Sequence, residues 1–212
     1  MFEDIPSLTP LSLFDLSFNL RWFDGKDFLK KGLLKKYHLL DTSAYLDQDK
    51  LEDIYLAWNE EGLFLLADIE SEVEKVSKEY RSADSFEIFI DTRALKTAGY
   101  ISKYSHHFVI YPKKIDNYHV HEVTRFRNED THDLVNPKDF EIDIKLKKGG
   151  YRIILFIPKK CLYGYDPLRF NKIGFSYRVN RYRLEPTSFS ISSKEIKIEN
   201  SPMFFAEGNL VK

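Results

Sequence analysis

The stretch Arg81–Arg93, RSADSFEIFIDTR, constrains the fold more than any other. Side chains of a strand alternate between its two faces, so in SFEIFID the residues Phe86, Ile88 and Ile90 point one way and Glu87, Phe89 and Asp91 the other. The first face is wholly apolar and requires a second layer to cover it. The second carries charge on an otherwise well-formed strand, and function is sought there first.

The same two-residue period recurs along the chain. Phe14, Leu16, Phe18, Leu20 and Trp22 fall opposite Ser17, Asn19 and Arg21. DIYLAWNEEGLFLLADIE reads as a hairpin bent at Asn59, Glu60, Glu61 and Gly62, with the glycine supplying a positive φ. Trp58 closes its first arm, where a tryptophan stacks on a sugar ring or, more commonly, serves as a core or rim residue. Val73, Val76 and Tyr80 fit a short helix or an ordered loop. In HHFVIYP, Phe108 and Ile110 oppose His107, Val109 and Tyr111, and Pro112 is expected to end the strand. YHVHEVTRFR alternates again. DFEIDIKLKKGGYRIILFIPKK is a hairpin turning at Gly149 and Gly150, and its second arm is apolar on both faces, as in a central covered strand. IGFSYRVNRYR is a further strand. Roughly ten strands with hardly any helix predict an all-β fold, a two-sheet antiparallel β-sandwich forming one domain over residues 1–212.

Charge and cysteine content narrow the partners. Lys plus Arg number 32 against 33 Asp plus Glu, which gives no overall pull toward nucleic acid or an anionic membrane. Lys30, Lys31, Lys35 and Lys36 are read as solvated lysines guarding an edge. Cys161 is the sole cysteine, so neither an internal disulfide nor a cysteine zinc cluster can form, which suits a reducing compartment. MFEDIPSLTP lacks the features of a secretory signal, and no apolar run approaches the roughly 20 residues of a membrane span. The expectation is a soluble cytoplasmic protein with no nucleic-acid or membrane partner, although export by an unread signal is compatible with the same residues.

A saccharide site needs aromatic faces for the apolar side of the ring and planar polar groups for its hydroxyls. The face opposite the core offers Glu87, then His107 and Tyr111, then Arg178, Asn180 and Tyr182, with Trp58 as a further candidate. The plainer reading is a solvent face with cross-strand pairs such as Glu87 with Arg178. Asp84, Glu87 and Asp91 do not make a glycosidase pair, because Asp84 and Glu87 lie on opposite faces and Glu87 and Asp91 are about 13 Å apart along the strand. Asp84 is expected to cap the turn before the strand, and Asp91 to pair with Arg93 or close the following loop. His106, His107, His119 and His121 raise a metal or haem alternative, with Met203, beside Phe204 and Phe205, read as core rather than as an axial ligand. No nucleophile motif, phosphate loop or dinucleotide fingerprint occurs, so no catalysis and no cofactor is expected.

The succession IYLAWN, DSFEIFIDTR, HHFVIYP, KKGGYRIILFIP and IGFSYRVNR resembles the family 9 carbohydrate-binding modules and the related DOMON-like sandwiches. Asp84, Glu87 and Asp91 match the "gDsvEifiD" pattern common there. The Asp-Thr-Arg extension, the His-His-Phe strand and Asn180–Arg181 look like an uncharacterised bacterial DOMON-like subgroup. The resemblance covers about Trp22 to Val211. It implies a non-catalytic module that recognises a saccharide or polyol. Related sandwiches add two alternatives, a haem- or metal-binding protein and a protein-interaction module with no small ligand. Family 9 sites hold the pyranose between two tryptophans, and the tryptophans here are Trp22 and Trp58.

Overall fold

The apolar faces of the alternating strands meet in two opposed layers. The structure is a computed structural model that describes residues 15–96, 99–192 and 196–212. Its strands are β1 (Ser17–Trp22), β2 (Glu52–Asn59), β3 (Gly62–Ile69), β4 (Ser85–Asp91), β5 (Ser105–Ile115), β6 (Tyr118–Glu122), β7 (Glu141–Lys147), β8 (Gly150–Pro158), β9 (Lys172–Arg181), β10 (Leu184–Ser188) and β11 (Ala206–Val211). Among the described residues a single α-helical turn, α1 (Phe28–Lys31), accompanies them, together with short 3-10 turns. Phe14 lies outside the described residues.

The hydrogen-bonded order is β6-β5-β4-β9-β11-β1-β2-β3-β8-β7, with β10 also on β9. The layer β6-β5-β4-β9 faces the layer β2-β3-β8-β7, and β1 with β11 joins them along one side. The sandwich is antiparallel except at this join, where β1 runs parallel to both β11 and β2. Between the layers lie Phe86, Ile88 and Ile90 of β4, Phe108 and Ile110 of β5, Phe175 and Val179 of β9, and, facing them, Leu56, Leu65, Ile69, Ile153 and Leu155. Burying each large side chain contributes roughly 1.5–3 kcal/mol, so this layer is what commits the chain to two sheets.

The outer face of β2-β3-β8 is also covered. Phe28, Leu33 and Tyr37 fold over Ala57, Phe64, Leu66 and Ile154. The lysine-rich segment is thus tied down by its apolar residues, while Lys30, Lys31, Lys35 and Lys36 remain exposed. At Gly62 the backbone of β3 approaches β8 so closely that a Cβ would stand 2.1 Å from the Ile157 carbonyl oxygen, at a φ of +153°. Gly62→Ala is therefore expected to cost more than about 1 kcal/mol, read as a lowered melting temperature in thermal unfolding.

Several local expectations are corrected. Of the two readings for Val73, Val76 and Tyr80 the structure has the loop, which ends in a 3-10 turn at Tyr80–Ser82. Pro112 does not end its strand. β5 continues to Ile115 through a register shift between Ile110 and Ile115, where proline's missing N–H is tolerated. There the His119 and His121 rings bond the Tyr111 and Ile115 carbonyls, at 2.8 and 3.0 Å. The second hairpin turns at Lys148–Gly149, and Gly150 already belongs to β8. Met203 is 44% exposed rather than core. Among the described residues no helix is long and apolar enough to cross a membrane.

Candidate functional site

Register brings the polar residues of three strands together. Glu87 on β4 pairs across to Arg178 on β9, Ser85 to Asn180, and Phe89 to His107 on β5. All these side chains except Phe89 are polar, and all point away from the inter-sheet core. The Glu87 carboxylate takes a two-pronged contact from Arg178, with Nε at 2.8 Å from Oε1 and Nη2 at 2.9 Å from Oε2. His107 Nε2 lies 2.6 Å from Oε2, and the Asn180 amide donates to Oε1 and to the Ser85 hydroxyl.

The face is not open to solvent. Glu87 is fully buried, and the His107 and Arg178 side chains are 7% and 8% exposed. Phe89 is covered by Ile191, Ile198 and Phe205. The Tyr80 ring stands edge-on to His107 at 5.9 Å. Glu199 approaches from the same side, with Oε2 at 3.5 Å from Arg178 Nη1 and Oε1 at 2.9 Å from the half-exposed Arg81. Its Oε2 is buried and has no hydrogen-bond partner among the described residues.

Burial opposes ionisation of Glu87, yet the His107 hydrogen bond and the charges of His107 and Arg178 outweigh it and bring the carboxyl down to about 2. Burial likewise opposes the charge on Arg178, and Glu87 reverses that effect and raises its pKa. Tyr111, buried nearby, is pushed up to about 12, first by burial and then by Tyr80 and Glu87. The network holds fixed charge in a low-dielectric setting.

The other predicted residues are placed differently. Trp58 is 3% exposed in the inter-sheet core, and its indole N–H donates to the Val211 carbonyl at 3.3 Å, so it offers no face to a sugar. Trp22 is 37% exposed at the join and donates to Glu60. Tyr182 is half-buried beyond the network, with the ammonium of Lys75 4.9 Å from its ring. Asp84 accepts from the Glu74, Lys75 and Tyr182 amides, and Asp91 from Arg93 and Leu95, so both are turn-holding groups as expected. Tyr80, Arg81 and Glu199 were not singled out in the sequence. Glu199 in particular lies where no strand period marks a face. A separate open groove of about 490 Å³ against the other sheet is lined by Asp24, Lys26, Phe28, Phe64 and Phe156, but Phe64 and Phe156 stack on each other and present no buried charge.

The site is thus a covered polar network on one sheet of a β-sandwich, with Tyr80, Arg81 and Glu199 at its edge. Residues 35–194 match the family described as carbohydrate family 9 binding domain-like, and the chain belongs to that family. Two solved structures share the fold, both described as a family 9 carbohydrate-binding module from Caldicellulosiruptor kristjanssonii. The one in complex with glucose is 15% identical with a TM-score of 0.58, covering 92% of this chain and 96% of that one. The one in complex with cellotriose is 19% identical with a TM-score of 0.54, covering 75% and 74%. No curated protein matches the chain.

Proposed function

We propose that the chain is a non-catalytic saccharide-binding module whose polar floor is Glu87, His107, Arg178 and Asn180, with Tyr80 and Glu199 at its rim. The observation that carries this reading is the match of residues 35–194 to the carbohydrate family 9 binding domain-like family, with the Arg178–Glu199 ion pair at the edge of the polar network as the place where a ligand would enter. Sugar hydroxyls donate and accept at once, so a pair of them inserted between Glu199 and Arg178 would replace that 3.5 Å ion pair with hydrogen bonds to both groups. The Tyr80 ring supplies an apolar flank. Family membership supports the same class of ligand, and the glucose and cellotriose held by the two similar structures are the first ligands to try.

Calorimetry against glucose, cello-oligosaccharides and a wider glycan panel is the test. Heat corresponding to about −8 to −4 kcal/mol, micromolar to millimolar affinity, is expected from at least one sugar. Glu199→Gln and Tyr80→Ala, both at the rim, should weaken it about 10-fold or more. The absence of heat from every sugar at millimolar concentration would sink the reading.

A further inference from the structure

His106 and His107 are neighbours on β5 and face opposite ways. His107 joins the Glu87 network, whereas His106 stacks against Phe108 and meets Glu122 at the end of β6 and His132 in the loop that follows. Side-chain exposures are 0% for His106 and Glu122 and 3% for His132. Both rings aim a nitrogen at one oxygen, with His106 Nδ1 at 2.9 Å and His132 Nε2 at 3.0 Å from Glu122 Oε1. The Thr124 hydroxyl lies 2.8 Å from the same oxygen. The three histidine and carboxylate atoms lie within 4.8 Å of one another.

The remaining ring nitrogens decide what lies between these groups. His132 Nδ1 is 2.7 Å from the Lys103 carbonyl oxygen, which can only accept, so Nδ1 carries a proton. In a neutral ring Nε2 is then a lone pair facing a carboxylate, and a cation must stand between them. If that cation is a second proton, His132 is an imidazolium. His106 then needs its own proton on Nδ1, which leaves its fully buried Nε2 a lone pair with no donor among the described residues. Protonating both nitrogens of both rings would place two imidazolium ions 4.4 Å apart, centroid to centroid, on a single buried carboxylate. A divalent metal ion removes the conflict. Both rings then give the nitrogen nearest Glu122 to the metal as a lone pair, and His132 keeps its proton on the nitrogen facing the Lys103 carbonyl, the arrangement that orients metal-binding histidines generally.

We propose that His106 Nδ1, Glu122 Oε1 and His132 Nε2 form a structural site for a zinc-class divalent ion, with the Thr124 hydroxyl or a water as fourth donor. Two imidazoles and a carboxylate suit zinc rather than calcium or magnesium, which require oxygen shells. Zinc bonds of 2.0–2.1 Å set tetrahedral donors about 3.3 Å apart, so the nitrogen–oxygen spacings of 2.9 and 3.0 Å need to open by a few tenths of an ångström, while the two nitrogens, within 4.8 Å of each other, adjust toward the same distance. The ion would clamp the loop after β6 onto β5. Thr124 Oγ1 also accepts from the His107 amide at 2.9 Å, so the clamp fixes the backbone of a residue in the polar floor. The site is independent of whether a sugar binds.

The test uses the full chain, stripped with a chelator, incubated with ZnCl2 or CoCl2 and passed through a desalting column. Wild type is expected to retain about one zinc per chain, to melt at a higher temperature with zinc than without, and to give the visible absorption of tetrahedral Co2+ when loaded with cobalt. His132→Gln, checked for folding by circular dichroism, should lose both the metal and the thermal shift. The inference is overturned if wild type retains less than about a tenth of an equivalent and its melting does not move. It is overturned equally if His132→Gln, folded, holds zinc as wild type does. The wild-type measurement decides the matter alone if the variant does not fold.

Discussion

Glu87→Ala is expected to destabilise the protein by about 3–5 kcal/mol, because it leaves the Arg178 guanidinium buried without its two-pronged partner. Glu199 at 3.5 Å is the other carboxylate near that guanidinium, and it already shares its charge with Arg81. The paired variant Glu87→Leu/Arg178→Met should recover most of the loss, since it removes both charges and fills the space with apolar groups. Urea unfolding of the wild type and both variants measures this. A loss under about 1 kcal/mol for Glu87→Ala would mean that the guanidinium finds solvent easily and that the network is not a sealed one.

Acid should undo the same network. Glu87 titrates at about 2 in the folded protein against 4.5 for the free side chain. Its folded pKa is depressed, so the unfolded chain takes up the proton first. The contribution is complete above pH 4.5 and is lost as pH falls from there through about 2. The groups around it are His107 and Tyr111 from β5, Arg178 and Asn180 from β9, and Tyr80 and Glu199 from the covering segments. The loss is on the order of 3 kcal/mol. Melting temperatures from pH 6 to pH 2.5 should fall more steeply for wild type than for Glu87→Leu/Arg178→Met, which has no carboxylate there to protonate. Parallel curves would contradict the assignment.

Much of this was legible in the sequence, for reasons that differ by residue. Strand period placed Phe86, Ile88 and Ile90 inside and Glu87 outside, and it assembled Glu87, His107, Arg178 and Asn180 on one face, because alternation is a local property of each strand. Asp84 and Asp91 were readable as turn-holding groups from their positions at the strand ends. What period cannot report is what covers a face. By period alone the polar set is an open face or groove, whereas in the structure Ile191, Ile198 and Phe205 close over Phe89 beside it and Tyr80 and Glu199 rim the network. Trp58 sits inside because its alternation within β2 follows Ile54 and Leu56 into the core. The grouping of His106 with Glu122 and His132 has no signal in the sequence, because His132 lies in an irregular loop, where spacing carries no information about direction.

The parallel join at β1 bears on time as well as shape. Ser17 pairs with Glu207 and Arg21 with Ala57, so one short strand ties together segments drawn from almost opposite ends of the described chain. The hairpins β2-β3 and β7-β8 close small loops and can form early; the β1–β11 ladder must close a very long one before its contacts reward it. The six-residue strand between β11 and β2 is accordingly expected to dock after the hairpins on either side of it have closed.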